Sequence, residues 1–497
     1  MCRTLGASLA GIEGVAVEVE VRISSLLPRV DIVGLPEAAV REAGARVRGA
    51  IAAIGRPFPD RRITVNLAPA GLRKSGAGLD LPIAVGILAA AGVLEREPLE
   101  GRAFLGELAL DGRLRPVQGS LALVLACRDA GHPQVIVPTA NAAEAALAPN
   151  VDVRGAPDLE AVLEHLTGAS TLPRAEAPPL IDGAVTGPCL SDVRGQERGK
   201  RALEITAAGG HALLLQGPPG AGKTMLARRL APLLPPLSFD EALEVTLIHG
   251  AAGRLPREGP LAMRRPFRAP HHTASLAGLL GGGSPPRPGE ISLAHRGVLF
   301  LDEFPEFERR SLEALRQVLE DRRVRISRAR LSCEFPADFI LVAASNPCQC
   351  GWYRSGKRDC RCDEAAIARY RRRISGPLLD RIDLHVQLSA LSWRELDQPA
   401  GAITSHDVRD RVVAARTHQQ RRGVRANAEI SDAALDASVR ATIEARRLLG
   451  RAVDRLQLSA RAARRVLRVA RTVADLEGED RVGASALAEA LSYRNES

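Results

Sequence analysis

The stretch His211-Ala-Leu-Leu-Leu-Gln-Gly217-Pro-Pro-Gly220-Ala-Gly222-Lys223-Thr224-Met225 constrains this chain more than any other. The apolar run Ala212 to Leu215 reads as a buried strand. Gly217 to Thr224 matches G-x-x-x-x-G-K-[ST], and Met225 to Leu234 reads as the helix that follows. Strand, glycine loop and helix in that order make a cradle for a polyphosphate. Glycine lets successive backbone N–H groups turn inward, and the helix N-terminus adds partial positive charge. Gly217, Pro218, Pro219, Gly220, Ala221, Gly222, Lys223, Thr224 and Met225 are therefore the expected nucleotide contacts. Lys223 suits the β- and γ-phosphates of ATP, and the Thr224 hydroxyl suits Mg²⁺.

Composition sharpens this reading. Of 68 Lys+Arg residues, lysine stands only at Lys74, Lys200, Lys223 and Lys357. A chain that uses arginine almost everywhere keeps lysine inside the phosphate loop, where a compact ammonium fits and a planar guanidinium does not. At 497 residues the chain has material for about three domains. With 45% hydrophobic and 25% charged residues it is globular rather than disordered. It has no apolar run of about 18 residues and no basic-then-apolar start, so a cytoplasmic protein without a membrane span is expected. The net charge of +10 suits a polyanionic partner, although a general preference for arginine gives the same number. Only 3% of residues are aromatic, so contacts to DNA should fall on phosphates rather than stacked bases.

Residues 1–170 alternate strands and helices, as in an α/β or α+β domain. Gly14–Ile23, Val30–Val33, Ile63–Leu67 and Gln134–Val137 read as strands; Glu37–Ile54, Leu121–Ala130 and Leu159–Leu166 read as helices. Phe104–Leu110, Asp111-Gly112 and Arg113–Val117 read as a hairpin on a type I′ turn. Two segments, Pro69 to Asp80 and Gly106-Glu107 through Pro116-Val-Gln-Gly119, resemble the proteolytic domain of Lon-type proteases. Those enzymes use a serine and a lysine. Here the serine position falls at Gly78 and the lysine position near Leu121, and neither can act as nucleophile or base. Lys74 beside Ser75 suits a turn better than a dyad. The resemblance thus implies a Lon-like fold without peptidase activity, with assembly or docking as its remaining use. Residues 171–190 are proline-rich and aperiodic, as a linker is.

Residues 191–390 carry the remaining chemistry. Gln196, just before the helix Lys200–Ala208, precedes the phosphate-loop strand at the place where many ATPases that this chain resembles form the adenine pocket. Gly297-Val-Leu-Phe-Leu-Asp302-Glu303 is a buried strand ending in two carboxylates, Asp302 for Mg²⁺ and Glu303 for polarising the attacking water. Asp338 to Asn346 is a third buried strand whose terminal Asn346 amide suits the same water. This order resembles the AAA+ fold. Phe267-Arg-Ala-Pro-His271-His272-Thr273, Pro288 to Gly297 and Ser345-Asn-Pro-Cys348 resemble, more narrowly, the Mg-chelatase-like AAA+ proteins of the ComM/YifB type, along essentially the whole chain. The resemblance implies a ring-forming ATPase, hexameric in the family, which in ComM proteins is a DNA helicase driving branch migration during natural transformation. It also implies that Arg381 is an arginine finger for the neighbouring subunit and that Arg461 senses the γ-phosphate from the lid. In related proteins the insertions 268–290 and 322–337 face the central pore. Arg287 and the hairpin residues Arg322, Arg323, Arg325, Arg328 and Arg330 then suit a backbone grip on DNA, or else an ordinary solvated hairpin.

The cysteines fall into two groups. Cys2, Cys127, Cys189 and Cys333 are scattered, as in a reducing compartment. Cys348-Gln-Cys350 and Cys360-Arg-Cys362 place four thiols in two close pairs within 346–363, which suits a structural tetrahedral Zn²⁺, with free thiols or disulfides as the alternatives. Arg354, Lys357, Arg358 and Arg361 make the same loop a second candidate DNA contact. Residues 391–497 read as a helical lid. It holds a charged helix over Asp407–Arg422, N-caps at Ser431 and Ser459, an amphipathic helix Ala460–Ala474 with Arg464, Arg465, Arg468 and Arg471 partly exposed, and a last helix Ala484–Tyr493. The whole predicts an α/β chain: an AAA+ phosphate-loop core with a helical lid, behind a Lon-protease-like domain. Its output is a DNA motor or, alternatively, the remodelling of a protein partner.

Overall fold

The computed structural model describes the chain except residues 75, 178–186, 256–260, 284–285, 329–330, 398–400, 402 and 495–497. Ser75, part of the expected linker, Arg330 and the side chain of Arg328 lie outside the described residues.

The first sheet has seven strands in the order Arg29–Val33, Arg62–Ala68, Glu13–Ser24, Cys2–Ala10, Arg102–Phe104, Gln134–Pro138 and Asp152–Ala156. Its centre is antiparallel, with Cys2 opposite Val21 and Ala10 opposite Glu13. Alternation sets the faces. Val17, Val19 and Val21 are buried, while Glu18 and Glu20 on the other face pair with Arg3 at 3.0 and 3.1 Å. The helix Asp80–Ala90 packs on this sheet with nearly every residue buried. Being apolar all round, it has no 3.6-residue period to read.

The second sheet is parallel, in the order Phe267–Arg268, Val298–Leu301, Ile340–Ser345, Leu213–Gln216 and Leu384–Gln387. Both faces are covered, so its central strands are continuous apolar runs. One face shares a core with the C-terminal helices, where Leu213 and Leu215 cluster with Val466, Val469, Val473 and Leu487. The two sheets meet through the helix Phe239–Ala251. Its Ala242, with Leu261, joins Leu121, Leu123 and Val124 of the helix Ser120–Asp129. A Cβ at Gly250 would fall 3.1 Å from a Glu144 carboxylate oxygen and 3.5 Å from Gly119 Cα, so the helices approach closely here.

Several local expectations need correction. The hairpin turn is not type I′. Gly112 has φ of 89°, but Asp111 is not among the positive-φ residues, and Gly112 N–H bonds to Ala109 C=O at 3.0 Å while Ala109 N–H bonds to Arg113 C=O. That is an ordinary turn closed by a glycine bulge. The helix expected over Glu37–Ile54 divides into Ala38–Arg41 and Ala43–Ala53. The one after the phosphate loop divides into Lys223–Arg228 and Leu230–Leu233, where Pro232 has no N–H to continue the ladder. Arg471 is wholly buried rather than partly exposed. Its guanidinium bonds to Asp475 at 3.0 Å and to the carbonyls of Val439, Glu479 and Asp480.

Candidate nucleotide site

The site forms at the C-terminal edge of the parallel sheet, where ligands of open α/β sheets bind. Gly220 and Gly222 take φ of 79° and 89°, and a Cβ at either would meet nothing within 4 Å. The loop is thus open on the side where backbone N–H groups cradle phosphate. Lys223 Nζ donates to the carbonyls of Gly217 (2.7 Å) and Pro218 (3.0 Å) and to Asn346 Oδ1 (2.9 Å). The Thr224 hydroxyl donates to Asp302 Oδ2 at 2.7 Å. Asp302 Oδ1 accepts the Glu303 N–H at 2.9 Å. Five residues expected from sequence to act together, at or just beyond the ends of three neighbouring strands, therefore do meet. Burial depresses the Lys223 ammonium below its usual value, and the carboxylates of Asp302 and Glu303 oppose that shift. Gln196 also belongs here. Its amide donates to Ala221 C=O (3.1 Å) and Ser389 C=O (2.7 Å), tying the phosphate loop to the segment after the last strand.

The donor set fits magnesium triphosphate. Thr224 and Asp302 supply hard oxygens for Mg²⁺, which would neutralise charge on the β- and γ-oxygens, and Lys223 supplies a mobile cation.

Arg381 and Arg461 are not at this group. Both bind the same oxygen of Glu320, at the end of the helix Arg309–Asp321. Arg381 is only 4% exposed and donates a further bond to Pro377 C=O at 2.6 Å. At the N-terminal ends of the strands lies a cavity of about 460 Å³ lined by Arg265, Arg296, Arg416 and Arg425 with Glu241 and Asp338. It faces away from the phosphate loop, and its charges are mostly spent on one another, as in Arg425–Asp338 and Arg265–Glu241.

The hairpin Arg323–Arg328/Leu331–Pro336 forms as expected. Arg323 and Arg325 are exposed but share Glu334. Arg322 is not part of the hairpin's exposed run. It ends the preceding helix with φ of 53° and binds Glu429 (3.0 Å) and Asp338 (3.5 Å) at the hairpin base. Arg287 is exposed, in the short strand Arg287–Pro288. The bend Gly11–Ile12 of the first sheet packs on Cys333 and Phe335, so the hairpin is buttressed at its root.

Cys348, Cys350, Cys360 and Cys362 place their sulfurs within 4.8 Å of one another. Cys348 lies 3.4 Å from Cys350 and 3.7 Å from Cys360, with Cys350–Cys360 at 3.6 Å. Zn–S bonds of about 2.3 Å at tetrahedral angles require sulfurs about 3.8 Å apart, so the set fits zinc. The backbone N–H of Trp352 heads the contacts that pull the Cys350 thiol down to about 6. This loop also braces the phosphate loop: a Cβ at Gly351 would sit 2.7 Å from Pro219. Arg358 stacks on Trp352 at 4.8 Å and Arg354 on Tyr353 at 5.2 Å.

In the first sheet the protease-like positions hold no dyad. Lys74 is fully buried, its ammonium donating to the carbonyls of Gly34 (2.9 Å) and Pro69. Asp80 is buried against Arg46, with bonds of 2.7 and 2.9 Å.

Comparison with known proteins agrees with this arrangement. Residues 189–396 match the family model "Magnesium chelatase, subunit ChlI", residues 19–141 "Subunit ChlI of Mg-chelatase", and residues 402–494 "Magnesium chelatase, subunit ChlI C-terminal". The chain is 45% identical to YifB of Salmonella typhimurium over 97% of this chain and 95% of that one. It is 43% identical to the competence protein ComM of Haemophilus influenzae, with the same coverage. The chain belongs to the Mg-chelatase-like AAA+ family, in its ComM/YifB branch. Membership makes it an AAA+ ATPase, with ATP and Mg²⁺ as the family's ligands. A shorter likeness, 30% identity over 180 residues, relates it to Lon protease 2 of Bacillus subtilis. Among the described residues no helix is long and apolar enough to cross a membrane.

One contact at this group was not read from sequence. His272 Nδ1 lies 2.9 Å from a carboxylate oxygen of Glu303. The Phe267–Thr273 motif held the clue, but nothing local ties it to a residue 31 positions on.

Proposed function

We propose that this chain is an ATP- and Mg²⁺-dependent ring motor, hexameric, that moves on cytoplasmic DNA and drives branch migration as a helicase. The observation that carries the reading is the convergence of Lys223, Thr224, Asp302, Glu303 and Asn346 on one sheet edge. Glu303 polarises water for in-line attack on the γ-phosphate, Lys223 offsets the charge, and Asn346 orients Lys223 and the water; Mg²⁺, which Thr224 and Asp302 would hold, would supply further charge neutralisation. Arg381 serves the nucleotide of the next subunit as an arginine finger, and Arg461, which shares Glu320 with it, is the lid's sensor of the γ-phosphate. Kinship with ComM, a competence protein by name, supports DNA as the track. Exposed Arg287, Arg323 and Arg325 supply contacts to its phosphates. Zn²⁺ on the four cysteines holds the loop that supports Pro219. The first 170 residues, a Lon-like unit without a nucleophile, brace the insertions rather than cut peptides, and the helices after residue 390 act as the lid.

The test is ATP turnover with and without forked or four-way-junction DNA. Stimulation that falls steeply with salt supports the motor. No response to either DNA favours a second reading, the remodelling of a protein partner. One observation favours that alternative: Glu334 neutralises part of the charge of Arg323 and Arg325.

A further inference from the structure

Aromatic residues are scarce in this chain, but they are not evenly spread. Both tryptophans, Trp352 and Trp393, lie at one surface with Tyr353, whereas the other two tyrosines, Tyr370 and Tyr493, are buried. Side-chain contacts join the three. Arg358 rests on the Trp352 ring at 4.8 Å, and Arg354 and Arg371 both rest on Tyr353, at 5.2 and 5.4 Å. Lys357 Nζ donates to Leu391 C=O at 2.5 Å, two residues before Trp393. The loop between the cysteine pairs, the helix Glu364–Arg371 and the short helix Trp393–Leu396 therefore share a face. Trp393 is 77% exposed, which leaves most of a large apolar ring in water.

The same face carries charge that nothing neutralises. Residues 354–373 hold eight cations against three carboxylates. One of those carboxylates, Asp363, is spent on the Ala366 N–H at 2.6 Å, and one of the cations, Arg373, is spent on Glu306. Arg354, Arg358, Arg361, Arg369, Arg371 and Arg372 are all exposed, and among the described residues none of them makes an ion pair or a side-chain hydrogen bond. The hairpin differs, since Arg323 and Arg325 share Glu334. A guanidinium resting on a ring engages it through its face and keeps its in-plane N–H donors for another acceptor. Unspent guanidiniums interleaved with accessible rings match a polymer of regularly spaced phosphates with flat, unpaired bases between them. Duplex DNA hides its bases. An acidic protein face would meet the cations but would give the rings nothing to stack on.

We propose, on the reading of this chain as a DNA motor, that this face binds single-stranded DNA. The arginines of the cysteine loop and of the helix after it hold the phosphates, and Trp393 stacks on a base. Gly351 of the same loop lies against Pro219, so a strand held here bears directly on the phosphate loop.

Because both tryptophans stand on this face, the intrinsic emission of the full-length protein reads it directly. With Mg²⁺ and a non-hydrolysable ATP analogue, a thymidine oligonucleotide of about 20 residues should quench that emission, and a duplex of the same length should not. By anisotropy of the labelled oligonucleotide, Trp393→Ala should weaken binding by about tenfold. The combined variant Arg358→Ala, Arg361→Ala and Arg371→Ala should weaken it by about tenfold or more and make the salt dependence of log Kd shallower by about 2. All four positions are exposed or partly so, and circular dichroism checks that the variants fold. No quenching by the oligonucleotide, equal quenching by duplex, or parental affinity in both variants would each overturn the proposal. So would a combined variant that keeps its DNA affinity but loses the parent's oligomer size in sedimentation, since the face would then join copies of the chain. Arg323→Ala with Arg325→Ala, assayed in parallel, separates the two ideas. If that pair alone abolishes DNA binding, the motor stands and this face is not its contact. If the parent binds neither strand nor duplex, the DNA reading falls and takes this face with it.

Discussion

The molecule contains two glycine-rich loops with a lysine, and they have opposite fates. In Pro69–Asp80 the ammonium of Lys74 is sealed in, held by the carbonyls of Gly34 and Pro69, and the loop's carboxylate, Asp80, is buried on Arg46. In Gly217–Thr224 the ammonium of Lys223 is also held by two carbonyls, but it meets Asn346 as well and lies in the field of Asp302 and Glu303. A lysine among glycines is therefore not a functional mark by itself. The difference lies in what surrounds the loop: two carboxylates and an amide from neighbouring strand ends in one case, Gly78 of the loop itself and Leu121 of the helix Ser120–Asp129 in the other.

The largest effect that would sharpen this contrast is on nucleotide binding. Lys223→Ala should weaken ATP binding by about 100-fold or more, read by equilibrium binding of a fluorescent analogue. Lys74→Ala should leave that affinity unchanged and instead destabilise the protein by about 2–4 kcal/mol, through a cavity and two carbonyls left without a donor. Weak ATP binding by a well-folded Lys74→Ala would erase the distinction. Next comes Glu303→Gln, which should retain ATP and lose about 100-fold or more in kcat, measured as phosphate release. Smaller again is the effect of the cysteine loop. Protein purified without chelator should carry close to one zinc per chain by elemental analysis, and less than half of that counts against the site. Cys348→Ser should remove the metal and raise KM for ATP several-fold, because Gly351 no longer braces Pro219.

The smallest effect is a pair of opposite pH slopes. Glu244, bonded to His295 and Arg296, is lowered to about 2 in the fold, so its contribution is present above pH of about 4.5 and lost as pH falls toward 2. Asp80 is raised by burial, so its contribution declines as pH climbs above about 3.8. Urea titrations between pH 3 and 6 should show a shallower acid loss for Glu244→Gln and a steeper rise of stability with pH for Asp80→Asn. The Glu244 effect should be well under 1 kcal/mol because the group is 43% exposed.

How much could be read in advance follows from distance along the chain. The phosphate loop was legible because strand, glycines, lysine and helix are contiguous. Asp302, Glu303 and Asn346 were legible because each ends an apolar run, and strand ends of a parallel sheet share an edge. The four cysteines were legible from spacing alone. The meeting of Arg381 with Arg461 on Glu320 was not, since 141 residues separate Glu320 from Arg461. The edge strand Phe267–Arg268 is too short to leave a period, and Leu384–Gln387 has only two apolar residues, Leu384 and Val386, with a histidine between them. Arg471 deceived because arginine ordinarily lies outside. Here Asp475 one turn on and three carbonyls replace water.

The bare Cα of Gly250, seated against Glu144 and Gly119, offers a wedge point. Excising the first 170 residues would strip the cover from Ala242 and Leu261 and invite clumping, which would obscure what the leading unit does. A bulky side chain at Gly250 would instead pry the two halves apart while leaving each one whole, and so separate the brace from the engine without amputating either.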